Sequence, residues 1–167
     1  TEGLPAIIAR LFNTVGPRQT GAYGMVIPRF VEQALNHQPL TVYGDGSQTR
    51  SFCYATDLID GMMRLMENEE HIGPVNIGNP DEYTILELAQ TIQKLVNPDV
   101  EIQFAPLPQD DPKQRQPDIT RAKEILGWTP QVDRMEGLRH TYEYFKGLTE
   151  QELYEVDHKS FDEYIRR

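Results

Sequence analysis

Three polar side chains stand where a strand or a loop can present them to an anionic, hydroxyl-rich ligand. Asn13 follows the apolar run of residues 5–12, and its amide group both donates and accepts hydrogen bonds. Arg50 follows a glycine-rich turn, and Arg115 lies in the polar stretch 109–117. A guanidinium group is planar and pairs with diphosphate oxygens. These residue types indicate a phosphate-bearing ligand, but each side chain taken alone also fits a loop contact or a solvated surface position.

The other reactive residue types form no catalytic or metal-binding pattern. The single cysteine, Cys53, excludes an internal disulfide, fits a reducing compartment and is expected to be a buried structural thiol. The four histidines lack metal-ligand spacing, so no metal site is expected. Asp57 is expected in the N-cap region of a helix, and Asp110 and Asp111 are expected to orient neighbouring basic groups.

The bulk composition sets limits on size and partners. A chain of 167 residues fits one domain with a real core, and 38% hydrophobic with 25% charged residues is ordinary for a globular protein. The formal net charge of −10 argues against nucleic-acid binding, because phosphate backbones demand basic patches. No apolar run approaches the roughly 20 residues of a membrane helix. We therefore expect a cytoplasmic protein without a nucleic-acid or membrane partner.

Apolar spacing and turn residues predict strands that alternate with helices. The strands are predicted at residues 5–12, 39–43, 50–54, 74–77 and 100–105, the first of them buried. The helices are predicted at residues 25–36, 56–69, 84–96, 119–126 and 135–148. Capping boxes at Thr149/Glu152 and Ser160/Glu163 predict short helices in an acidic tail. The alternation indicates an α/β or α+β arrangement, with strands too short and scattered for a complete doubly wound sheet.

Six stretches between residues 4 and 146 follow one another in an order and spacing typical of one protein family. They are residues 10–14 (RLFNT), 16–18 (GPR), 40–52 (LTVYGDGSQTRSF), 57–58 (DL), 76–80 (NIGNP) and 109–119 (QDDPKQRQPDI). Together they resemble the C-terminal half of the extended short-chain dehydrogenase/reductase family, the NAD-dependent epimerases and dehydratases that act on nucleotide sugars. Residues 79–87 (NPDEYTILE) and the QDDP stretch are most similar to the UDP-glucuronate decarboxylases.

The resemblance implies an α/β fold, namely the C-terminal substrate-binding lobe of an NAD(P)-binding Rossmann-fold dehydrogenase that lacks the N-terminal Rossmann half. Residues 1–148 would form this lobe, and residues 149–167 the helical acidic tail. The sequence contains no Gly-x-x-Gly-x-x-Gly loop, and its one Tyr-x-x-x-Lys spacing, at Tyr142 and Lys146, falls in a late helix and is interpreted as coincidence. We expect a portion of a longer enzyme whose sheet the first and fourth predicted strands would complete.

The resemblance also implies an activity. UDP-glucuronate would be oxidised at C4 by bound NAD, lose carbon dioxide as a β-keto acid, and be reduced again to UDP-xylose. The catalytic tyrosine would lie in the missing half, which would also bind most of the NAD, and the full-length enzyme would form a homodimer. Within this chain Asn13 would orient the UDP-sugar, Arg50 would clamp the diphosphate, and Arg115 would hold the diphosphate and the sugar in a supporting catalytic role.

Further ligand contacts are implied on the same grounds. Thr14 would face the nicotinamide cofactor. Five residues are expected beside the uridine, three of them through backbone groups: Ile27, Phe30, Thr41, Val42 and Tyr43. For Ile27 and Phe30 a plain core role on a helix face is the alternative, and for residues 41–43 a plain core strand.

Two other functions stay open. Residues 19–30 (QTGAYGMVIPRF) are more similar to related 4-epimerases, and Met25 stands where the decarboxylases usually have an arginine beside the cofactor. A UDP-sugar 4-epimerase is therefore the first alternative. The second is a non-catalytic UDP-sugar-binding module or half of a split enzyme. This alternative follows if the chain functions without the Gly-x-x-Gly-x-x-Gly loop and the catalytic Tyr-x-x-x-Lys pair.

Overall fold

The computed structural model describes residues 6–19, 25–70, 73–107 and 113–153. Strands and helices alternate along these residues. The strands are β1 (Ile8–Leu11), β2 (Thr14–Val15), β3 (Leu40–Tyr43), β4 (Thr49–Ser51), β5 (Cys53–Tyr54), β6 (Pro74–Ile77), β7 (Glu82–Thr84) and β8 (Ile102–Ala105). The helices are α1 (Val26–Leu35), α2 (Ala55–Glu67), α3 (Ile85–Val96), α4 (Thr120–Leu126) and α5 (Arg134–Lys146).

The described strands pair two by two. β1 pairs with β6, β2 with β5 and β3 with β8, all in parallel, whereas β4 and β7 are antiparallel. Parallel partners need long crossover connections, which here contain helices. The predicted α/β class is confirmed by this mixed arrangement.

Two clusters of buried apolar side chains form the core. The first joins α1, α3 and α5 to β3, and includes Phe30, Leu40, Leu88 and Phe145, each fully buried. The second is centred on Trp128, which is 1% exposed, and joins α2 and α4 to β6. Helices α1 and α3 therefore bury the apolar stripes from which the sequence predicts them, whereas α2 buries only part of its stripe.

The capping signals of the sequence form as predicted at two helix ends. At the start of α3 the N–H of Glu87 donates to Thr84 Oγ1 over 3.1 Å, and the N–H of Thr84 donates to Glu87 Oε2 over 2.8 Å. The bond from the Thr84 N–H and a second bond from the Thr84 hydroxyl to Glu87 Oε2, over 3.0 Å, lower the pKa of the Glu87 carboxyl below its ordinary value. At the end of α4, Gly127 adopts a left-handed conformation with φ 58° and closes the helix.

The single strand predicted at residues 50–54 is wrong. Two strands occupy this region, because β4 hydrogen-bonds to β7 whereas β5 hydrogen-bonds to β2. The sequence prediction also lacks β7 and β2. Three-residue and two-residue strands carry too few side chains to reveal a period of their own.

The expected N-cap position of Asp57 is corrected by the structure. Helix α2 begins at Ala55, with Tyr54 as its N-cap residue, so Asp57 lies within the first turn. Its carboxylate accepts hydrogen bonds from the N–H groups of Gln131 and Val132, over 3.0 and 2.9 Å. Asp57 therefore holds a loop that is distant in sequence instead of capping its own helix.

The expected burial of the first strand is also wrong. All four residues of β1 are exposed, with Ile8 at 56% and Leu11 at 49%. Within the described ranges β1 has one hydrogen-bonded neighbour, β6, so its other edge and much of both faces are uncovered. An apolar sequence gives a strand, but burial depends on what packs against it.

The acidic tail is described only at its start. Thr149 and Glu152 form the predicted capping box, in which Thr149 N–H donates to Glu152 Oε2 over 2.9 Å. The Ser160/Glu163 box and the rest of the tail lie outside the described residues. Helix α5 begins one residue earlier than predicted, at Arg134, because the Asp133 carboxylate caps its first N–H groups. No helix in the described ranges is long and apolar enough to cross a membrane.

Candidate functional site

Ser51, the last residue of β4, connects two of the predicted ligand-binding residues. Its backbone carbonyl accepts a hydrogen bond from Asn13 Nδ2 over 3.2 Å, and its hydroxyl donates to the carbonyl of Arg115 over 3.2 Å. The Ser51 side chain is 1% exposed. Residues that are 38 and 64 positions away in sequence therefore meet at one strand end.

Asn13 is also held through its own backbone. The N–H of Cys53 donates to the Asn13 carbonyl over 2.9 Å, next to the parallel pairing of Thr14 with Cys53. Asn13 thus lies between the end of β1 and the start of β2, and the hydrogen bond from Cys53 fixes its carbonyl group. Its half-buried amide is positioned by strand geometry, which is the arrangement expected of a ligand-orienting residue.

The segment that contains Arg115 is extended and held along its length. Lys113 accepts from the N–H of Thr49 over 2.9 Å, and Asp118 accepts from Asn76 Nδ2 over 2.9 Å, both through backbone carbonyls. The two glutamines that flank Arg115 are held by residues 80–82: Gln114 donates to Glu82 Oε2 and Gln116 to the carbonyl of Pro80, each over 2.8 Å. The Arg115 side chain itself remains exposed. The described part of the expected polar loop, residues 113–117, is therefore a fixed support for this side chain, whereas residues 109–112, with Asp110 and Asp111, lie outside the described residues.

Arg50 precedes Ser51 on β4 and is mostly buried, at 9% exposure. It is paired with Tyr83 of β7 in the antiparallel register, and its Nη1 donates to the carbonyl of Thr49 over 2.7 Å. Asn13, Arg50 and Arg115 thus converge on β4, the first and third through Ser51 and the second as its chain neighbour. The structure thus joins the backbone of these three residues at one strand, and guanidinium and amide groups are side chains that suit a diphosphate-sugar ligand.

Thr14 lies on β2, beside Asn13. Its hydroxyl donates to the carbonyl of Phe12 over 3.4 Å, and its own carbonyl accepts from Gln19 Nε2 over 2.8 Å. The segment that follows β2 is described only as far as Gln19. A contact between Thr14 and a nicotinamide stays a prediction.

Side chains of α1 cover the predicted uracil-binding edge of β3. Gln33 Oε1 accepts from the N–H of Thr41 over 3.1 Å, and Arg29 Nη2 donates to the Thr41 carbonyl over 3.3 Å. The Arg29 guanidinium carbon lies 4.8 Å from the centre of the Tyr43 ring and 5.8 Å from that of Phe30. A uracil contact at the Thr41 N–H stays a prediction, and it requires Gln33 to move away.

The three apolar residues predicted beside the uridine are core residues in the structure. Ile27, Phe30 and Val42 are at most 1% exposed and belong to the first core cluster. Their side chains pack α1 against β3. A direct uridine contact stays a prediction for them, whereas the alternative role in the core is the one visible here.

Sequence reasoning did not single out Ser51, Arg29 or Gln33. Arg29 carried no sequence signal, since it lies outside the apolar stripe of its helix at residues 26, 27, 30, 31, 34 and 35. In the structure its Nε is, within the described residues, buried without an acceptor. Ser51 falls within the family stretch at residues 40–52, but nothing there marks its role, because both of its contacts are with residues far away in the chain.

Other reactive residues serve the core or the surface. Cys53 is fully buried, and burial raises the pKa of its thiol to about 12, which confirms the predicted structural thiol. Tyr142 packs against the first core cluster and Lys146 lies 5.5 Å from its ring centre, both on α5. Among the described residues no three His, Cys, Asp or Glu side chains are grouped to hold a metal ion.

The fold resembles solved Rossmann-type epimerases and dehydratases that use nucleotide sugars. The UDP-glucuronic acid 4-epimerase of Bacillus cereus, solved in complex with UDP-glucuronic acid and NAD, is 34% identical with a TM-score of 0.81. The alignment covers 87% of this chain and 46% of the epimerase. The fold is thus that of this class of α/β proteins.

Sequence comparison identifies the family. Residues 1–78 match the NAD dependent epimerase/dehydratase family, and the chain belongs to it. UDP-glucuronic acid decarboxylase 2 of Arabidopsis thaliana is 56% identical over 131 residues, which are 78% of this chain and 29% of the plant protein. UDP-glucuronic acid decarboxylase 1 of Danio rerio is 48% identical over 164 residues, which are 98% of this chain and 37% of the fish protein. The chain therefore spans less than half the length of these relatives.

Proposed function

We propose that this chain forms the UDP-sugar-binding part of an NAD-dependent UDP-glucuronate decarboxylase, which converts UDP-glucuronate to UDP-xylose. The observation that carries the proposal is the convergence of Asn13, Arg50 and Arg115 on the end of β4. The 44–56% identity to proteins named UDP-glucuronic acid decarboxylase supports this substrate over other nucleotide sugars.

The three residues would divide the binding work. Arg50, held on β4, would pair with the diphosphate, since a guanidinium fork matches two phosphate oxygens. Arg115 is exposed on a fixed segment and would reach the diphosphate or the sugar carboxylate. Asn13 would orient the sugar through its amide. Holding the substrate in one orientation is how such residues contribute to rate.

We propose further that the chain corresponds to the C-terminal lobe of the enzyme and packs against a Rossmann half. Two observations support this. The outer edge of β1 has no strand partner in the described residues, and α2 exposes an apolar row at helical spacing: Ile59, Met62, Met63 and Met66. Parallel sheets are normally covered on both faces, and an exposed apolar row on a helix normally marks a surface that packs against another one.

NAD does not fit the described residues as a resident group. The space beside the Cα atoms of Gly46, Gly61 and Gly78 is occupied by this chain's own side chains and does not open toward a pyrophosphate. The side chains nearest to these glycines include Leu86, Trp128 and Phe12. The chemistry that NAD supplies when bound is reversible hydride removal at C4 of the sugar. Thr14 is the one position here that we propose next to it, and the remaining contacts, like the homodimer, would belong to the Rossmann half.

Product analysis of the intact natural polypeptide that contains this sequence tests the proposal. With NAD and UDP-glucuronate it is expected to release carbon dioxide and form UDP-xylose, and with UDP-glucose it is expected to form nothing. Retention of the carboxylate with inversion at C4 would favour the 4-epimerase, which the likeness to the Bacillus cereus enzyme supports. Binding of UDP without any turnover would favour the binding module or split enzyme.

A further inference from the structure

The hydroxyl of Ser51 is buried between the two segments that carry the predicted UDP-sugar ligands. We propose that Ser51 is a positioning residue of this site and acts through Arg115. The inference rests on the proposed function and adds a residue to it. No ligand contact is assigned to Ser51, whose side chain is 1% exposed and already engaged.

The first step of the argument is that the two polar groups of Ser51 have separate tasks. Its carbonyl accepts from Asn13, a contact of the peptide group that any residue at this position can make. Its hydroxyl donates to the Arg115 carbonyl, a contact of the side chain alone. Replacement of Ser51 by alanine therefore removes the tie to Arg115 and leaves the tie to Asn13.

The second step concerns what the hydroxyl controls. Gln114 and Gln116 fasten the neighbours of Arg115 to residues 80–82, on the β7 side of the segment. The tie at the Arg115 peptide itself is the Ser51 hydroxyl, on the β4 side, where Asn13 and Arg50 also lie. A backbone hydrogen bond from the N–H of Thr49 to the Lys113 carbonyl also ties the segment to β4, two residues before Arg115. The Ser51 hydroxyl adds a hydrogen bond at Arg115 itself and so helps to fix the Arg115 peptide relative to Asn13 and Arg50. Without this hydrogen bond the backbone that carries the Arg115 guanidinium is held less firmly.

The third step is the kind of effect expected. A lost hydroxyl–carbonyl hydrogen bond corresponds to roughly three- to tenfold in an equilibrium constant. Since Ser51 touches no reacting atom, its loss should weaken binding of substrate and transition state alike. KM then rises and kcat stays nearly constant.

The experiment uses the intact natural polypeptide and four variants: Ser51→Ala, Arg115→Ala, their combination, and Thr141→Val as a matched control. Thr141 is also a fully buried residue whose hydroxyl donates to a backbone carbonyl, that of Gly137 over 2.7 Å, but it lies within α5. The dissociation constant for UDP is measured by calorimetry, KM and kcat for UDP-glucuronate by product formation, and stability by thermal unfolding. If Ser51→Ala does not fold, Ser51→Cys keeps the volume and leaves only a weak donor.

We expect Ser51→Ala to raise the dissociation constant for UDP and the KM roughly three- to tenfold, with kcat within about twofold. In the Arg115→Ala background the same change should add nothing, because Ser51 acts through Arg115. Thr141→Val should lose stability and keep both constants. Unchanged binding in Ser51→Ala, or effects that multiply in the double variant, would overturn the inference alone. Absence of UDP binding by the wild-type polypeptide would overturn the proposed function together with it.

Discussion

The indole nitrogen of Trp128 donates a hydrogen bond to the backbone carbonyl of Asp57 over 3.1 Å. The Asp57 carboxylate in turn accepts the N–H groups of Gln131 and Val132. The first turn of α2 and the loop after α4, more than 70 residues apart, are thereby joined through one residue. Trp128 belongs to the second core cluster, and β5, which precedes α2, pairs with β2 beside Asn13.

Removal of the Asp57 carboxylate should loosen this junction. Asp57→Ala leaves two partly buried N–H groups unpaired, so the free energy of unfolding should fall by about 1–3 kcal/mol. Urea unfolding measures the change. Asp60→Ala, on the same helix, is the control: its exposed ion pair with Arg64 should contribute no more than about 0.5 kcal/mol. Equal losses in both variants would contradict the structural role of Asp57.

A methyl group at position 61 should disrupt the same cluster. A Cβ built on Gly61 would lie 2.7 Å from Ile77 Cγ2 and 3.0 Å from Trp128 Cε2, and both side chains are buried. Gly61→Ala should therefore cost about 1–3 kcal/mol of stability, although alanine favours helix formation by about 1 kcal/mol. Gly147→Ala, whose nearest contacts would be backbone oxygens at 3.5 and 3.7 Å, should change stability little. A neutral Gly61→Ala would show that the packing is looser than described.

Cys53 should be unreactive in the folded protein. Burial raises the pKa of its thiol to about 12, so the thiolate is scarce at pH 8. An aromatic disulfide reagent should label the protein only after urea is added. The ordinary thiol pKa is lower, so between pH 9 and 12 the folded state binds more protons than the unfolded state, and stability should fall as pH rises through this window. Rapid labelling without urea would contradict the burial of Cys53.

The capping box of α3 should make stability depend on acid. The pKa of Glu87 is lowered chiefly by its hydrogen bonds to Thr84, so its contribution is present above the ordinary pKa of 4.5 and is lost as pH falls through the folded value. Glu87→Gln should therefore show a smaller loss of stability than the wild type on acidification below pH 4.5. Thr84→Val, which removes the hydroxyl partner, should shift the profile in the same direction. Unfolding curves that fall equally steeply in all three proteins would contradict this.

Arg50 should bind through the shape of its guanidinium group as well as its charge. Arg50→Lys keeps the charge but loses the paired donors, so UDP should bind roughly tenfold more weakly to the intact polypeptide. Calorimetry at fixed salt measures this change. Arg64→Lys alters a surface arginine on α2 in the same way and should leave UDP affinity unchanged. Equal affinities for Arg50→Lys and the wild type would remove Arg50 from the proposed site.

The elements that the sequence predicted well depend on neighbours within a few positions. The Thr84/Glu87 box and the stop at Gly127 form as the sequence indicates, because all the interacting atoms lie within about one helical turn. The strand at residues 74–77 is likewise found at its predicted bounds. The family motifs around Asn13, Arg50 and Arg115 also belong to the sequence, since residue types and their order are sufficient to reveal a resemblance.

The tertiary structure decided what lies next to what. The division of residues 50–54 into two strands follows from their different partners, β7 and β2, which no local pattern specifies. Ser51 is linked to the proposed site because Asn13 donates a hydrogen bond to its carbonyl and the Arg115 carbonyl accepts one from its hydroxyl. The exposure of Ile8 and Leu11 depends on the surface that packs beside them, not on their own apolar character. The sequence by itself was sufficient for the helix ends and for the family resemblance. Contacts between residues far apart in the chain depend on how the whole chain packs, so only the tertiary structure could reveal them.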